Sequence, residues 1–328
     1  MISISDPLQT PLPPPSSCRT PRPADFDSFW QETLETLAEV PLDVRLEQNR
    51  LRSTPTVDVY DVHYRSWGGL EVFAWYCVPA GAAAAQQADL PGLILPPGYI
   101  GDPVIPKRWA ELGYAAIAPA PRGKVRSRDL CNPGYPGLLT SNLTDRSTYT
   151  YRGFYLDVLR CLDVLQSRPE VDRARVGVHG ASQGGALAII VPALAPEAVC
   201  CASSGVPYLA DQLGAIELTR TYPYQELADY LRLYPERREA VEQTLAYFDV
   251  RHFGPRVTCP IIVSLGLQDN IVPPETCRVA FDSLTSAADR TLYCYERCGH
   301  DGGTALGHGE TVDQFLASHL GPVPASAG

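Results

Sequence analysis

The residue types best suited to chemistry begin with a serine between glycines. The pentapeptide Gly180-Ala181-Ser182-Gln183-Gly184 fits the pattern Gly-x-Ser-x-Gly. It follows a short apolar segment at 175–179, predicted to be a buried strand, and precedes an apolar run of helical length at 186–194. A strand, a tight turn and a helix form the context of a nucleophile elbow, in which a strained turn presents the serine hydroxyl. The alternative is an ordinary glycine-rich turn with a solvated serine, since so short a pattern also arises by chance.

An acid is expected after a later strand. A serine hydroxyl needs a base to become a nucleophile, and the base needs an orienting acid. Where a nucleophile elbow is used, the partners follow in the order Ser, Asp or Glu, then His. The strand predicted at 261–265 runs into a loop that contains Asp269. Active-site groups collect at the carboxyl ends of strands in open α/β sheets, so Asp269 is the predicted acid. The alternative is a solvated loop aspartate or a helix cap.

The base is sought among six histidines. His300 follows the strand predicted at 292–295 and stands in a glycine-rich loop that can reach the elbow. His308 is the competing candidate in the same region, and His179 is predicted to be a packed core histidine beside the elbow. The sequence therefore predicts Ser182 and His300, together with the acid, as a catalytic triad for acyl transfer.

Acyl attack also needs two preorganised donors for the oxyanion. One is expected to be the backbone N–H of Gln183, the residue after the nucleophile. The other is expected from Tyr99, in the loop after the strand predicted at 92–95. No run of His, Asp and Glu has metal-ligand spacing, so neither a metal nor another cofactor is expected.

The elements that must position these residues begin with an antiparallel hairpin, predicted at 57–64 and 70–78. Strands and helices then alternate, which predicts an α/β protein with a mostly parallel sheet of about eight strands and helices on both faces. An aromatic-rich helical segment at 207–253 interrupts this alternation and is predicted to be a cap. This is the α/β-hydrolase plan.

One α/β-hydrolase domain is predicted over 25–320, with an extended proline-rich arm at 1–24 and a frayed tail at 321–328. A net charge of −10 argues against nucleic acid and anionic membrane as partners. We see no secretory signal and no apolar run of membrane-spanning length, so a soluble cytoplasmic protein is expected. The ten cysteines include no Cys-x-x-Cys pair and are expected to behave as small buried hydrophobes.

Nearly the whole chain resembles the acetyl xylan esterase / cephalosporin C deacetylase family, also called carbohydrate esterase family 7. The motifs that carry the resemblance are Asp25-Phe26-Asp27-Ser28-Phe29-Trp30, Tyr151-Arg152-Gly153-Phe154-Tyr155-Leu156-Asp157, Gly180-Ala181-Ser182-Gln183-Gly184-Gly185, Tyr222-Pro223-Tyr224, Tyr247-Phe248-Asp249, Gly266-Leu267-Gln268-Asp269-Asn270-Ile271-Val272-Pro273-Pro274 and Gly299-His300.

The resemblance implies a serine esterase that removes acetyl groups from small sugars and from the acetoxymethyl group of cephalosporins. It implies triad roles for Ser182, Asp269 and His300, and an oxyanion hole from Tyr99 and Gln183. It also implies a ring-shaped hexamer with enclosed active sites, so the expected partners are a small acetyl ester and further copies of the chain.

Three motifs depart from the family pattern. The family's Arg-Gly-Gln-Gly is Arg122-Gly123-Lys124-Val125 here, its His-Glu is His300-Asp301, and the His-Gly before the oxyanion tyrosine is Pro97-Gly98. We interpret Lys124 and Asp301 as substrate-pocket candidates, and a positive Lys124 would favour an anionic acyl or alcohol part. The alternative for Lys124 is a solvated loop lysine.

Two rival functions remain open from the sequence. The first keeps the triad in a tailoring hydrolase or acyltransferase that takes a different acyl or alcohol group. The second is a non-catalytic α/β-hydrolase scaffold used for binding, against which the intact Ser182, Asp269 and His300 argue.

Overall fold

The structure is a computed structural model that describes residues 13–16, 20–85, 89–124, 126–127, 131–134 and 137–321. The arm predicted at 1–24 therefore lies partly outside the described residues, and the frayed tail predicted at 321–328 lies outside them except for Gly321. Among the described residues, no helix is long and apolar enough to cross a membrane.

Nine strands form one sheet. They are β1 (Arg45–Gln48), β2 (Val57–Arg65), β3 (Glu71–Pro79), β4 (Leu90–Ile94), β5 (Ala115–Ala120), β6 (Val171–Ala181), β7 (Cys201–Gly205), β8 (Ile261–Gly266) and β9 (Arg290–Tyr295).

The strand order in the sheet is β1-β2-β3-β5-β4-β6-β7-β8-β9. The first three strands and the β3–β5 pair are antiparallel, and every pair from β5 through β9 is parallel. The predicted antiparallel start and parallel remainder are confirmed, with one strand more than the predicted eight. Because β6 to β9 are parallel, their carboxyl ends lie at one edge of the sheet, and the candidate catalytic residues all follow these strands.

The additional strand is β1, Arg45-Leu46-Glu47-Gln48, which pairs with β2 at the edge of the sheet. Three of its four residues are exposed. Its sequence has neither the apolar alternation nor the β-branched residues that identify a strand, so pairing with β2 rather than local propensity defines it.

The helices longer than three residues pack on the faces of the sheet or form the segment between β7 and β8. They are α1 (Phe26–Ala38), α2 (Ala82–Ala85), α3 (Lys107–Glu111), α4 (Thr150–Gln166), α5 (Gln183–Leu194), α6 (Gln212–Leu218), α7 (Tyr224–Leu233), α8 (Arg238–Leu245), α9 (Val250–Phe253), α10 (Pro274–Ser283) and α11 (His308–Leu320).

The predicted helical cap is confirmed as α6 to α9, and α1 packs against it. Trp30 of α1 is fully buried among aromatic rings, including Phe248 and Phe253, and its indole N–H donates to the carbonyl of Tyr247 at 3.0 Å. Large aromatic side chains bury much apolar area with few torsions to order. The cluster therefore fixes the cap on the domain through α1.

A buried ion pair ties the segment after β5 to α4. The guanidinium of Arg122 donates from Nε and Nη2 to the two carboxylate oxygens of Asp157, each at 2.8 Å. Asp157 is fully buried and Arg122 is 8 % exposed. A Cβ atom at Gly153, one turn before Asp157 on α4, would lie 2.2 Å from the guanidinium carbon of Arg122. Only glycine lets the helix approach this ion pair.

The substitution Gly153→Ala should push the guanidinium of Arg122 off Asp157 and leave a buried charge poorly paired. Breaking a buried pair in this way costs about 3 kcal/mol, so a clearly lower Tm is expected in thermal unfolding. Gly309→Ala in α11 is the matched control, since its added Cβ meets nothing within 4 Å. A Gly153→Ala protein as stable as the control would contradict this account of the ion pair.

Candidate active site

Ser182 lies at the turn between β6 and α5, with a backbone conformation that residues other than glycine rarely adopt. Its φ is 60° and its ψ −121°. Such strain costs of order 1–3 kcal/mol and persists only where the surroundings enforce it. The Ser182 N–H donates to the carbonyl of Gly205 at 2.9 Å, and a Cβ at Gly184 would lie 2.5 Å from the carbonyl oxygen of Pro96. Strand β7 and the loop after β4 thus hold the elbow from two sides.

Asp269 and His300 form a direct pair. Oδ2 of Asp269 lies 2.8 Å from Nδ1 of His300, while Oδ1 accepts the N–H groups of Ile271 at 2.8 Å and Val272 at 2.9 Å. Asp269 is 6 % exposed. An Nδ1–H bond to a carboxylate leaves Nε2 of the imidazole as the acceptor, which is the tautomer a general base needs.

The loop that carries His300 lies across the ends of β7 and β8. The N–H of Gln268 donates to the carbonyl of Cys298 at 2.9 Å, which joins this loop to the one that holds Asp269. A Cβ at Gly302 would lie 3.0 Å from a methyl carbon of Val206, the residue after β7. Because β7 is also the strand whose last residue bonds the Ser182 N–H, the histidine loop and the elbow converge on one strand end.

The other two histidines near the elbow have different partners. Nδ1 of His308 lies 2.9 Å from the hydroxyl of Tyr295, and Nδ1 of His179 lies 3.2 Å from Oγ of Ser203. Burial lowers the pKa of each imidazole to about 4, so both are neutral at physiological pH. The structure thus joins Asp269 to His300 rather than to His308.

Tyr99 lies in the loop after β4, with its phenol turned toward the cap. The hydroxyl donates to the carboxylate of Glu226, at 2.7 and 2.8 Å from the two oxygens, and accepts the N–H of Leu139 at 3.0 Å. With the phenol committed to protein partners, the backbone N–H is the group left for an oxyanion. No acceptor in the described part of the chain takes a hydrogen bond from that N–H.

Gln183 joins the elbow to the Tyr99 loop through its side chain. The side chain is fully buried, its Oε1 accepts the hydroxyl of Tyr151 at 2.7 Å, and its Nε2 donates to the carbonyl of Gly98 at 3.2 Å. Its own N–H belongs to the first turn of α5, where amides lack intrahelical acceptors and favour anions. This side-chain bridge was not anticipated from the sequence.

Glu226 is a further residue that the sequence reasoning missed. It lies on the buried face of α7 with Leu227 and Tyr230, and burial raises the pKa of its carboxyl to about 7. A lone glutamate among apolar residues at helical spacing was the available signal, since a buried carboxyl needs a hydrogen-bonding partner. Its partner is the phenol of Tyr99.

The two substrate-pocket candidates lie in different surroundings. Asp301 is exposed, and its carboxylate accepts the N–H groups of Gly299 at 3.0 Å and Ala305 at 3.3 Å, which braces the histidine loop. Lys124 is 4 % exposed and donates to backbone carbonyls of the Tyr99 loop. The alternative that Lys124 is a solvated loop lysine is therefore wrong, whereas substrate contact by either residue stays a prediction.

Among the described residues, no group of three or more His, Cys, Asp or Glu side chains could hold a metal ion. The loops at the carboxyl ends of the strands thus carry a strained serine, a histidine–carboxylate pair and the backbone N–H groups of Tyr99 and Gln183. These are the groups that acyl transfer through a serine requires.

The sequence matches the acetyl xylan esterase (AXE1) family over residues 16–319. It is 27% identical over 286 residues to the acetyl esterase Axe7A of Xylanibacter ruminicola, covering 83% of this chain and 63% of that protein. The chain thus spans under two thirds of that relative's length.

Two solved structures share the fold over nearly the whole of both chains. An acetyl xylan esterase from Paenibacillus sp. R4 superposes with a TM-score of 0.84 at 30% identity, over 92% of this chain and 96% of that one. Acetyl xylan esterase 1 from Thermoanaerobacterium sp. JW/SL YS485 gives a TM-score of 0.83 at 27% identity, over 93% and 97%. With its α/β-hydrolase fold and a family match that runs from the first described residues into α11, the chain belongs to the acetyl xylan esterase family.

Proposed function

We propose that the protein is a serine carboxylic-ester hydrolase that removes acetyl groups from small substrates through an acyl-enzyme intermediate. The observation that carries the proposal is the Asp269–His300 hydrogen bond of 2.8 Å at the sheet edge where Ser182 adopts its strained turn. Membership of the family and the acetyl esterases among its relatives support the acyl group.

In the first half of the reaction, Nε2 of His300 takes the proton of the Ser182 hydroxyl as its oxygen attacks the ester carbonyl. The C–O double bond opens to an oxyanion, which the backbone N–H groups of Tyr99 and Gln183 bind. Asp269 holds the imidazole tautomer and stabilises the imidazolium. Collapse of the intermediate breaks the ester bond, and His300 protonates the leaving alcohol.

In the second half, water replaces the alcohol. His300 takes a proton from the water as its oxygen attacks the acetyl-serine carbonyl, and the same two N–H groups bind the second oxyanion. Collapse returns the proton to the oxygen of Ser182 and releases acetic acid, which loses its own proton to solvent. Each half leaves the enzyme residues in the protonation state in which they began, so no cofactor is needed for balance.

The substrate class that we propose is a small acetylated alcohol, such as an acetylated xylo-oligosaccharide or an ester of the cephalosporin C type. The names of the relatives support the first, and the motif resemblance supports the second.

In a series of aryl esters, we expect kcat/KM to be highest for the acetyl ester and to fall steeply as the acyl chain lengthens. Ser182→Ala should abolish turnover across the panel. A preference for bulky acyl groups would favour the tailoring-enzyme alternative instead.

The orienting role of Asp269 predicts a second outcome. Asp269→Asn should keep the loop fold but lose the acceptor that holds the His300 tautomer, so kcat should fall roughly 10³–10⁴-fold. Asp282→Asn is the control, since that carboxylate is exposed on α10 and pairs with Arg278 one turn earlier on the same helix. If the Asp269→Asn enzyme kept activity comparable to the Asp282→Asn enzyme, the triad assignment would be wrong.

A further inference from the structure

Lys124 is buried against the loop that carries Tyr99. Its Nζ donates to the carbonyl oxygens of Gly98 and Tyr99 and, at 3.0 Å, to that of Gly101. An ammonium group has three N–H donors, so these three acceptors use all of them. Removing such a charge from water costs several kcal/mol unless it is fully hydrogen-bonded. The arrangement satisfies Lys124 within the protein and leaves no donor for a substrate.

The Gly98 carbonyl belongs to the same peptide group as the Tyr99 N–H. Among the described residues the only cis peptide bond is Tyr222–Pro223, so the Gly98–Tyr99 peptide is trans. In a planar trans peptide the carbonyl and the N–H point in opposite directions. Whatever holds the Gly98 carbonyl therefore sets the direction of the Tyr99 N–H. Lys124 holds it from one side, and Nε2 of Gln183 donates to the same oxygen at 3.2 Å.

We propose that Lys124 is a positioning residue for the oxyanion hole: through the Gly98–Tyr99 peptide group its ammonium aims and polarises the Tyr99 N–H, without contact with the substrate. The inference rests on the proposed function, since it assigns the Tyr99 N–H to an oxyanion formed by Ser182 attack.

The positive charge of Lys124 also polarises the Gly98–Tyr99 peptide group. A cation at the carbonyl end of a peptide draws electron density toward the oxygen and makes the N–H at the other end a stronger donor, an effect that is larger in a low-dielectric interior. The glutamine of the family pattern would supply at most two N–H donors and no charge at this position. The departure at Lys124 therefore alters the oxyanion hole and not the substrate pocket.

Burial lowers the pKa of Lys124 to about 8, and the negative charge of Asp102 opposes part of that shift. The nearby cation Arg122 is bonded to Asp157, and the carboxyl of Glu226 lies at the phenol end of Tyr99. Because the folded-state pKa is lowered, the ammonium is present below about pH 8 and is lost as the pH rises through that value. The polarising charge should be lost with it.

The experiment compares variants of the chain's two lysines, Lys124 and Lys107, in aryl acetate hydrolysis. Lys124→Met, which removes charge and donors, should lower kcat about 10²-fold, the loss typical of a misplaced catalytic group, with KM nearly unchanged. Lys124→Gln should recover part of that loss, and it supplies the same comparison if the Met variant does not fold. Lys107→Gln is the matched control and should behave as the wild type.

The pH profile separates positioning by charge from a merely structural role. The ratio of wild-type kcat to Lys124→Gln kcat should be largest below pH 8 and should shrink as the pH rises through about 8. Taking the ratio cancels the titration of Glu226 and of every other group that both enzymes share. A ratio that stays constant with pH, or a raised KM at unchanged kcat, would overturn the proposal.

Ser182→Ala, assayed in parallel, separates failure of the proposed function from failure of the proposed role of Lys124. Wild-type activity that survives Ser182→Ala would overturn the proposed function. Activity that depends on Ser182 but is indifferent to substitution of Lys124 would overturn only the role of Lys124.

Discussion

The site depends on one peptide group, Gly98–Tyr99. Its carbonyl accepts hydrogen bonds from Nζ of Lys124 and Nε2 of Gln183, and no acceptor among the described residues bonds its N–H. Gln183 also follows Ser182, so in the proposed mechanism one residue supplies an oxyanion donor from its backbone and orients the other donor with its side chain. Preorganised donors of this kind lose no reorganisation energy when charge develops on the substrate.

Contacts from the segment after β5, from α4 and from the cap fix the position of that peptide group. Lys124 follows Arg122, which is anchored by the buried ion pair to Asp157 on α4. The phenol of Tyr99 is bonded to Glu226 on the cap helix α7, and the cap is fixed by the aromatic cluster around Trp30. The Tyr99 N–H lies on a loop, and contacts with the rest of the domain and with the cap set the position of that loop.

The sequence could predict the parts of this arrangement that follow from local pattern and chain order. Strands β8 and β9, which Asp269 and His300 follow, are short runs of largely apolar residues, and the elbow has the Gly-x-Ser-x-Gly pattern. The edge strand Arg45–Gln48 could not be predicted, because its polar residues are ordered by pairing with β2. The buried contacts of Lys124 and Glu226 were missed for a related reason. Lys124 bonds three backbone carbonyls and Glu226 bonds a phenol, all distant along the chain, whereas charge alone suggested solvent or substrate.

The central claim is that Ser182 is the nucleophile. The most direct test is to treat the protein with a fluorophosphonate and to map the covalent adduct by peptide mass spectrometry. The account predicts one adduct per chain, on the oxygen of Ser182, formed in step with loss of acetyl esterase activity. An adduct at another residue, or full loss of activity with Ser182 unmodified, would contradict it.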